Sequence, residues 1–529
     1  MNRSNTEQND TSSVYAGPTI GDMIVTLLER YPERVAFIDP CGSTITYRLL
    51  GQRIAYLIEQ FEHLGLERGA SIVQLCGNRA DVFAVMAACY IGGYRSVALH
   101  PLGGIDDQLF ILENCQARLL IADADRLERS LKLLSDSQQS FSVLSHDSEL
   151  GSSVRCVWDQ FTSEQTHLLV NRTTADEVVR LIYTGGTTGR AKGVMGSSES
   201  LATNALIRMA AHNWTELRLL CSTPLSHSAG TLILPVLWHG GTLVLHGGFE
   251  PDRLISELVE KRVNALYLVP TMIYRLLDHP RVREISSTKL KMLMYGSAPI
   301  SPARLSQART VFGPVLIQHY GMSEAPTVIL GLNETDHLDD SLMASAGKPY
   351  PGVTVKILDN DGQEVTVGEV GEICIRGPLV MTGYLNEPDL TAQVFKHGWF
   401  YSGDLAFQNA RGYFFIVDRS KDMIISGGFN IYPKEIENII ATHPAVASVG
   451  VIGVPDADWG EAVRAFVVTK PDEQIAASTL VEMVRKAKGS IHAPKLVVFV
   501  DSLPLTALGK IDKKALRTEF WASNTRAVN

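Results

Sequence analysis

LIYTGGTTGRAKGV, Leu181 to Val194, is the stretch from which the rest of the chain can be read. An apolar run of strand character opens it, a loop of glycine and threonine follows, and a lysine closes it. Gly185, Gly186 and Gly189 carry no side chains, so backbone N–H groups there can come close to a ligand. Thr184, Thr187 and Thr188 add hydroxyl donors, and Lys192 adds a mobile positive charge. A turn rich in unpaired N–H groups beside a lysine is a cradle for phosphate oxygens. It is not the Walker loop G-x-x-x-x-G-K-[ST]. Two residues separate Gly189 from Lys192, and Gly193 follows the lysine where Ser or Thr would stand. Taken alone, the segment reads equally well as a flexible surface loop.

A chain of 529 residues exceeds a single core, and a prior of ~150 residues per domain suggests about three units. A hydrophobic share of 45% with 20% charged residues is that of an ordinary soluble protein. The net charge of −9 argues against a nucleic-acid partner, which needs a basic face. The seven cysteines form no C-x-x-C pair and are odd in number. That fits buried, reduced thiols better than a disulfide framework or a zinc site. The opening MNRSNTEQNDTSSVYAG, residues 1–17, has no apolar core and reads as a disordered tail rather than a secretory signal. With no apolar run of ~18 residues there is no expected membrane span, and a cytoplasmic location follows.

Hydrophobic spacing predicts helices over 19–31, 47–64, 81–92 and 105–115, alternating with strands over 71–76, 96–99 and 117–122. The runs at 35–38 and 43–47 flank Asp39-Pro40-Cys41-Gly42 and predict a β-hairpin. Strands over 219–222, 242–245, 265–269 and 291–295, with helices over 251–261 and 302–312, repeat the βα order. Two doubly wound parallel sheets are the natural inference. From Gly347 the pattern changes to Val and Ile alternating with polar residues, an antiparallel segment forming a small barrel. A boundary falls at about 418–422, and the last ~110 residues have the size of an independent α+β unit.

Five further segments carry chemistry. The small residues Gly296, Ser297 and Ala298, ahead of Pro299, follow a strand and can make a flat slot for a base. Tyr320, in Gln318-His319-Tyr320-Gly321-Met322-Ser323-Glu324, can stack on it. Asp404 is suited to ribose hydroxyls and Arg419 to bracing the same sugar. Glu324 is a hard oxygen ligand suited to Mg²⁺. Lys510 follows a glycine in a polar loop and could meet a charged intermediate. Each has an everyday alternative. Tyr320 reads as core, Asp404 as a turn residue, the 419–422 run as a solvated charge cluster and His227 as a satisfied histidine. His227, His239 and His246 lack ligand spacing for zinc.

The ordered set, from about Thr19 to Lys514, resembles the adenylate-forming superfamily: acyl- and aryl-CoA ligases, peptide-synthetase adenylation domains and luciferase. Gly185 and Ala191 stand where that family has Ser and Pro in its loop T-S-G-T-T-G-x-P-K-G. The resemblance implies an α/β fold in which a large domain over 18–418 holds two doubly wound sheets plus a small antiparallel β-barrel. A hinge over 419–422 and a small mobile α+β domain over 423–529 complete it. It implies ATP, Mg²⁺ and CoA, with a carboxylic acid activated as an acyl-adenylate and passed to the CoA thiol.

Residue by residue, the resemblance assigns Thr184, Gly185, Gly186, Thr187, Thr188, Gly189 and Lys192 to the phosphates. Ser297, Ala298, Pro299 and Tyr320 fall to the adenine, Asp404 and Arg419 to the ribose, Ser323 to the phosphates, and Glu324 with Thr184 to the metal; His319, Gly321 and Lys510 also belong to the implied nucleotide site. Lys510, Glu324, His227 and Thr184 are the implied catalytic group. Lys421 is the implied hinge, and Gly427, Gly428 and Phe429 the CoA tunnel. His227, Ser228, Gly230, Gly296, Gly321 and Met322 line the implied acid pocket. Those pocket stretches contain no lysine or arginine, which disfavours a dicarboxylic acid. No carrier domain follows, so free CoA is the expected acceptor, with an acyl carrier protein the alternative; a non-catalytic nucleotide-binding regulator is the reading from a different class, against which the intact Lys192, Glu324, Asp404, Arg419 and Lys510 argue. For oligomeric state the sequence supplies only the common default, a homodimer.

Overall fold

The computed structural model describes residues 17–148, 154–163, 168–185, 191–286, 288–419, 422–426, 429–456, 459–506 and 511–521. The expected residues 1–16 of the tail lie outside this set. The helix Ala80–Gly92 is the centre of the large unit. Its thirteen residues are all buried, as its almost wholly apolar sequence requires; the one charge, Asp81, is paired with Arg53 and Arg79. Gly93 ends it in the left-handed region, φ 81°, where a glycine costs least. The helix packs in one core with Ile72 and Leu119 of one sheet and Leu219, Leu243 and Ala265 of another, so it lies between them.

The first of these sheets has seven strands. Arg95–Ala98, Ser71–Leu75, Ala117–Ala122 and Ser142–Ser145 run parallel beside Val178–Gly185. The second has nine strands. Its parallel centre runs Leu316–Tyr320, Met292–Gly296, Ala265–Leu268, Arg218–Cys221 and Thr242–Leu245. Several of these strands are buried throughout, as parallel strands covered on both faces must be. The hairpin Val35–Ile38 with Thr44–Thr46 forms as the spacing predicts. It joins the far edge of the second sheet, through Phe37 and Ile38 on Leu243 and Val244.

The antiparallel unit has five strands, from Thr354–Leu358 through Gly371–Arg376 and Trp399–Gln408 to Phe414–Arg419, with Phe395–Lys396 at its edge. Gly383–Tyr384 leaves it to pair with Met195 and Val194 of the first sheet. The last sheet is built on the long hairpin Val446–Asp456 and Gly460–Thr469, covered by helices Pro433–Ile440 and Ala477–Lys488. The fold is the expected α/β class. The seven cysteines are free and five are buried, but Cys76 is half-buried and Cys41, in the hairpin turn, is exposed.

Behind the edge of the second sheet lies a polar cluster. The phenol of Tyr350 meets His319 Nδ1 at 3.0 Å and His212 Nε2 at 3.3 Å. Burial, reinforced by the charge of Arg208, pushes the His212 imidazole down to about 4 and that of His319 well below its usual value. These rings are neutral in the fold and take protons once unfolded. Stability is therefore complete above about pH 6.5 and falls as pH drops toward 4, by up to roughly 1.4 kcal/mol per unit for each ring. His212→Gln, which cannot be protonated, should flatten the fall of the urea midpoint across this window. Identical slopes for the two proteins would refute the assignment.

Candidate active site

The carboxyl ends of the parallel strands converge where open α/β sheets bind ligands. Strand Val178–Gly185 delivers Thr184, which pairs with Lys192 across from it, and Gly185, which pairs with Ala191. Gly186, Thr187, Thr188 and Gly189 lie outside the described residues. Strand Met292–Gly296 delivers Ser297, held at φ 66°, then Ala298 and Pro299. Gly296 is required here because a Cβ would come within 2.4 Å of the His319 carbonyl on the next strand.

Strand Leu316–Tyr320 brings Tyr320 to Asp404. The phenol donates to Asp404 Oδ2 at 2.7 Å. Arg419 Nε meets Asp404 Oδ1 at 2.9 Å from the neighbouring strand, in register. Asp404 is only 4% exposed, so its charge depends on these partners. The carboxylate in turn raises the Arg419 guanidinium, and burial together with Asp404 raises the Tyr320 phenol. The Arg419 carbonyl accepts from the N–H groups of Asp422 and Met423, at 2.9 and 3.1 Å, as the chain leaves the strand.

A second constellation surrounds Glu324, beyond Gly321, Met322 and Ser323. Tyr384 donates to Glu324 Oε1 at 2.9 Å. Lys192 Nζ lies 5.6 Å from the centre of the same ring. Tyr384 therefore ties the lysine of the glycine-rich segment to the acidic residue. Burial, then Glu324, raises its phenol. Sequence reasoning missed Tyr384. The only signal was a tyrosine after glycine in Thr382-Gly383-Tyr384, and its pairing with Val194 is a tertiary fact.

A third group follows strand Arg218–Cys221. Asn78 fixes the 223–225 turn by donating to the Thr223 and His246 carbonyls and accepting from Leu225 N–H. His227 Nδ1 meets Ser226 Oγ at 2.8 Å, and its ring packs edge-on to His100 at 5.6 Å. Ser228 Oγ lies 2.9 Å from Ser297 Oγ, which also meets the Tyr267 hydroxyl at 3.0 Å. Gly230 has no room for a Cβ, which would fall 1.9 Å from the Leu225 carbonyl. Gly321 packs on the backbone of Thr327. These contacts bring Ser228 and Ser297 together across two strands.

The side chain of His319 is not brought to this group. It is buried against Tyr350, ring on ring at 5.8 Å, because alternate strand residues face opposite sides. Phe429 is 53% exposed and pairs with Ser426. Lys421, Gly427, Gly428 and Lys510 lie outside the described residues. Among the described residues no cluster of three or more His, Cys, Asp or Glu could hold a metal, and no helix is long and apolar enough to cross a membrane.

The sequence signature of the AMP-binding enzyme family matches residues 26–385. That of the AMP-binding enzyme C-terminal domain matches 435–510. The chain is 41% identical to medium/long-chain-fatty-acid–CoA ligase FadD8 of Mycobacterium tuberculosis, over 99% of this chain and 94% of that one. It is 35% identical to a feruloyl-CoA synthase of Amycolatopsis, over 90% and 94%. In fold it is similar to the amide bond synthetase McbA of Marinactinospora thermotolerans, with a TM-score of 0.88 and 30% identity over 94% of this chain and 99% of that one. ATP-bound MatB of Rhodopseudomonas palustris gives 0.85 at 27% identity over 94% and 99%. With its large unit carrying the family signature and its relatives aligned along nearly all of its length, the chain belongs to the family of AMP-binding enzymes, as an AMP-forming acid–thiol ligase.

Proposed function

We propose that the chain activates a carboxylic acid of largely apolar body, fatty or aryl, and transfers it to CoA. The observation that carries this is the paired Tyr320–Asp404–Arg419 and Lys192–Tyr384–Glu324 geometry beside the Ser228–Ser297 contact. The chemistry solves a leaving-group problem. A carboxylate cannot expel oxide toward a thiol. Its oxygen attacks the α-phosphorus of ATP instead, the bond to pyrophosphate breaks, and an acyl-adenylate remains. The CoA thiolate then attacks the acyl carbon, and AMP leaves with the electron pair.

Asp404 takes the ribose hydroxyls, with Arg419 holding the carboxylate in place. Tyr320, its phenol anchored, presents its ring to the adenine beside Ser297, Ala298 and Pro299. Thr184 and Lys192, with the loop between them, take the β- and γ-phosphates. Glu324, a hard oxygen donor held by Tyr384, fits Mg²⁺, which uses few protein carboxylates and several phosphate oxygens. The ion supplies charge screening when bound. Lys510 meets the carboxylate and the α-phosphate. His227 lines the acid pocket with Ser228, Gly230, Gly296, Gly321 and Met322. The domain boundary at 419–422, with Lys421 as hinge, is supported by the end of one sheet at Arg419 and the start of the next at Ile424. The segment beyond it turns after adenylation and presents Gly427, Gly428 and Phe429 to the pantetheine arm. The free thiols support a cytoplasmic location.

The deciding assay supplies ATP, Mg²⁺ and CoA with fatty and aryl acids. CoA-dependent AMP formation with one class establishes the substrate, and silence with all of them overturns the reading. Lys510→Ala should slow adenylation about 10²- to 10³-fold. Asp404→Asn should raise KM for ATP roughly ten- to hundredfold, the worth of a charged hydrogen bond, and an unchanged KM would remove Asp404 from the ribose site. Gly428→Trp should block thioester formation while pyrophosphate release with the acid continues; undiminished thioester would dismiss the tunnel.

A further inference from the structure

Among the described residues two buried arginines form no ion pair with a carboxylate: Arg180, which donates to the Ser226 carbonyl at 2.9 Å, and the deeper Arg208. Arg208 lies on helix Ser198–Ala211 and is 1% exposed. Arginine at that depth is normally paired with a carboxylate. Here Nε donates to Asn204 Oδ1 at 3.3 Å, and Nη2 donates to the Thr327 hydroxyl. Nη1 finds no hydrogen-bond partner among the described residues. The phenols of Tyr350 and Tyr267 favour its charge, the rings of His212 and His319 lie within its field, and no carboxylate pairs with it among the described residues. Burial brings its guanidinium down only to about 10, so it stays positive at neutral pH. His319, on the adjoining strand, adds a second orphan: its Nε2 is buried and has no partner among the described residues.

The position of this charge relates it to the acid pocket. Thr327 follows the Gly321–Met322 turn and packs on Gly321. Its backbone is left-handed at φ 46°, a conformation that a β-branched residue adopts only when its surroundings impose it. Asn204 and Arg208 impose it, the one by donating to the Pro326 carbonyl and the other to the Thr327 hydroxyl. On the facing side, Tyr267 reaches Ser297, which contacts Ser228. Arg208 therefore touches, through Thr327, the turn that carries Gly321 and Met322. It comes from a helix outside the pocket stretches that the sequence marks, which is why those stretches contain no cation.

We infer that Arg208, with Thr327 and Tyr267, forms a recognition subsite at the far end of the acid pocket for an oxygen acceptor on the substrate. The preferred acid then carries an apolar body with a distal oxygen, either a second carboxylate or a hydroxyl. A guanidinium offers two adjacent N–H donors to such a group. A site that has buried its donor discriminates strongly against the analogue lacking the oxygen, since the donor is then left unpaired. This inference rests on the ligase reading and extends it to substrate choice.

The test compares matched acids: octanoic with 8-hydroxyoctanoic and octanedioic, and cinnamic with 4-hydroxycinnamic. Thioester formation is followed in the wild type, Arg208→Met and Arg208→Lys. The wild type should favour an oxygen-bearing member at least tenfold in kcat/KM, and the octanedioic and hydroxy acids separate a carboxylate from a hydroxyl. Arg208→Met should bring the ratio close to one, mainly through KM, and Arg208→Lys should restore part of it. A wild-type ratio at or below one overturns the subsite. So does an equal loss on both members of each pair in Arg208→Met, the signature of a mere loop clamp. Turnover of the plain acids tests the ligase reading separately: turnover without oxygen preference removes the subsite alone, and silence on every acid removes both.

Discussion

A buried carboxylate must be neutralised where it stands, and the placement of Asp404 organises the meeting of two sheets. Its two oxygens are served from opposite directions, one by a phenol at the end of the second parallel sheet, the other by a guanidinium on the last strand of the antiparallel unit. Neither partner could satisfy it alone, because burial removes the solvent that would otherwise do so. The antiparallel unit is thus fixed against the parallel sheets by charge as well as by its apolar core. The same restraint leaves the phenol of Tyr320 no freedom to wander. A ring immobilised in this way can present a flat face without losing entropy when a ligand arrives.

The parallel sheets were legible because their strands are continuous apolar runs separated by helical spacing. Met292–Gly296 and Pro302–Phe312 lie within a residue of their expected places. The candidate site was legible as an ordered set of motifs: Thr184, Ser297 and Tyr320 sit at strand ends that the βα pattern already locates, while Asp404 lies inside an antiparallel strand. Sequence periodicity carried no information about partners across sheets. Tyr384 becomes a neighbour of Glu324 only because a two-residue strand, Gly383–Tyr384, is captured by the edge of the first sheet. The hairpin at Val35–Ile38 belongs to the sheet made much later in the chain. His319 was read beside Tyr320, but one step along a strand reverses the face, and its ring turns inward to Tyr350.

The polar interior around Arg208 follows a different logic from the surroundings of Asp404 and Glu324. Around Asp404 and Glu324, charges and phenols close on one another. Around Arg208, two neutral imidazoles and a tyrosine surround a cation with no counter-charge. Interiors with uncompensated charge are destabilising on their own, and Arg208 is the more deeply buried of the two arginines that form no ion pair among the described residues.

Arg419 faces two ways. Its guanidinium holds Asp404, while its carbonyl anchors the first residues of the C-terminal segment through Asp422 and Met423. The strand that carries it is pinned to its neighbour from Phe414 onward, so it cannot stretch to absorb a disturbance at its tip. A pull on the side chain is therefore passed to the chain beyond within a single residue. Under the proposed function, the sugar and the segment beyond the strand would share this one pivot, so that a change at either is felt at the other.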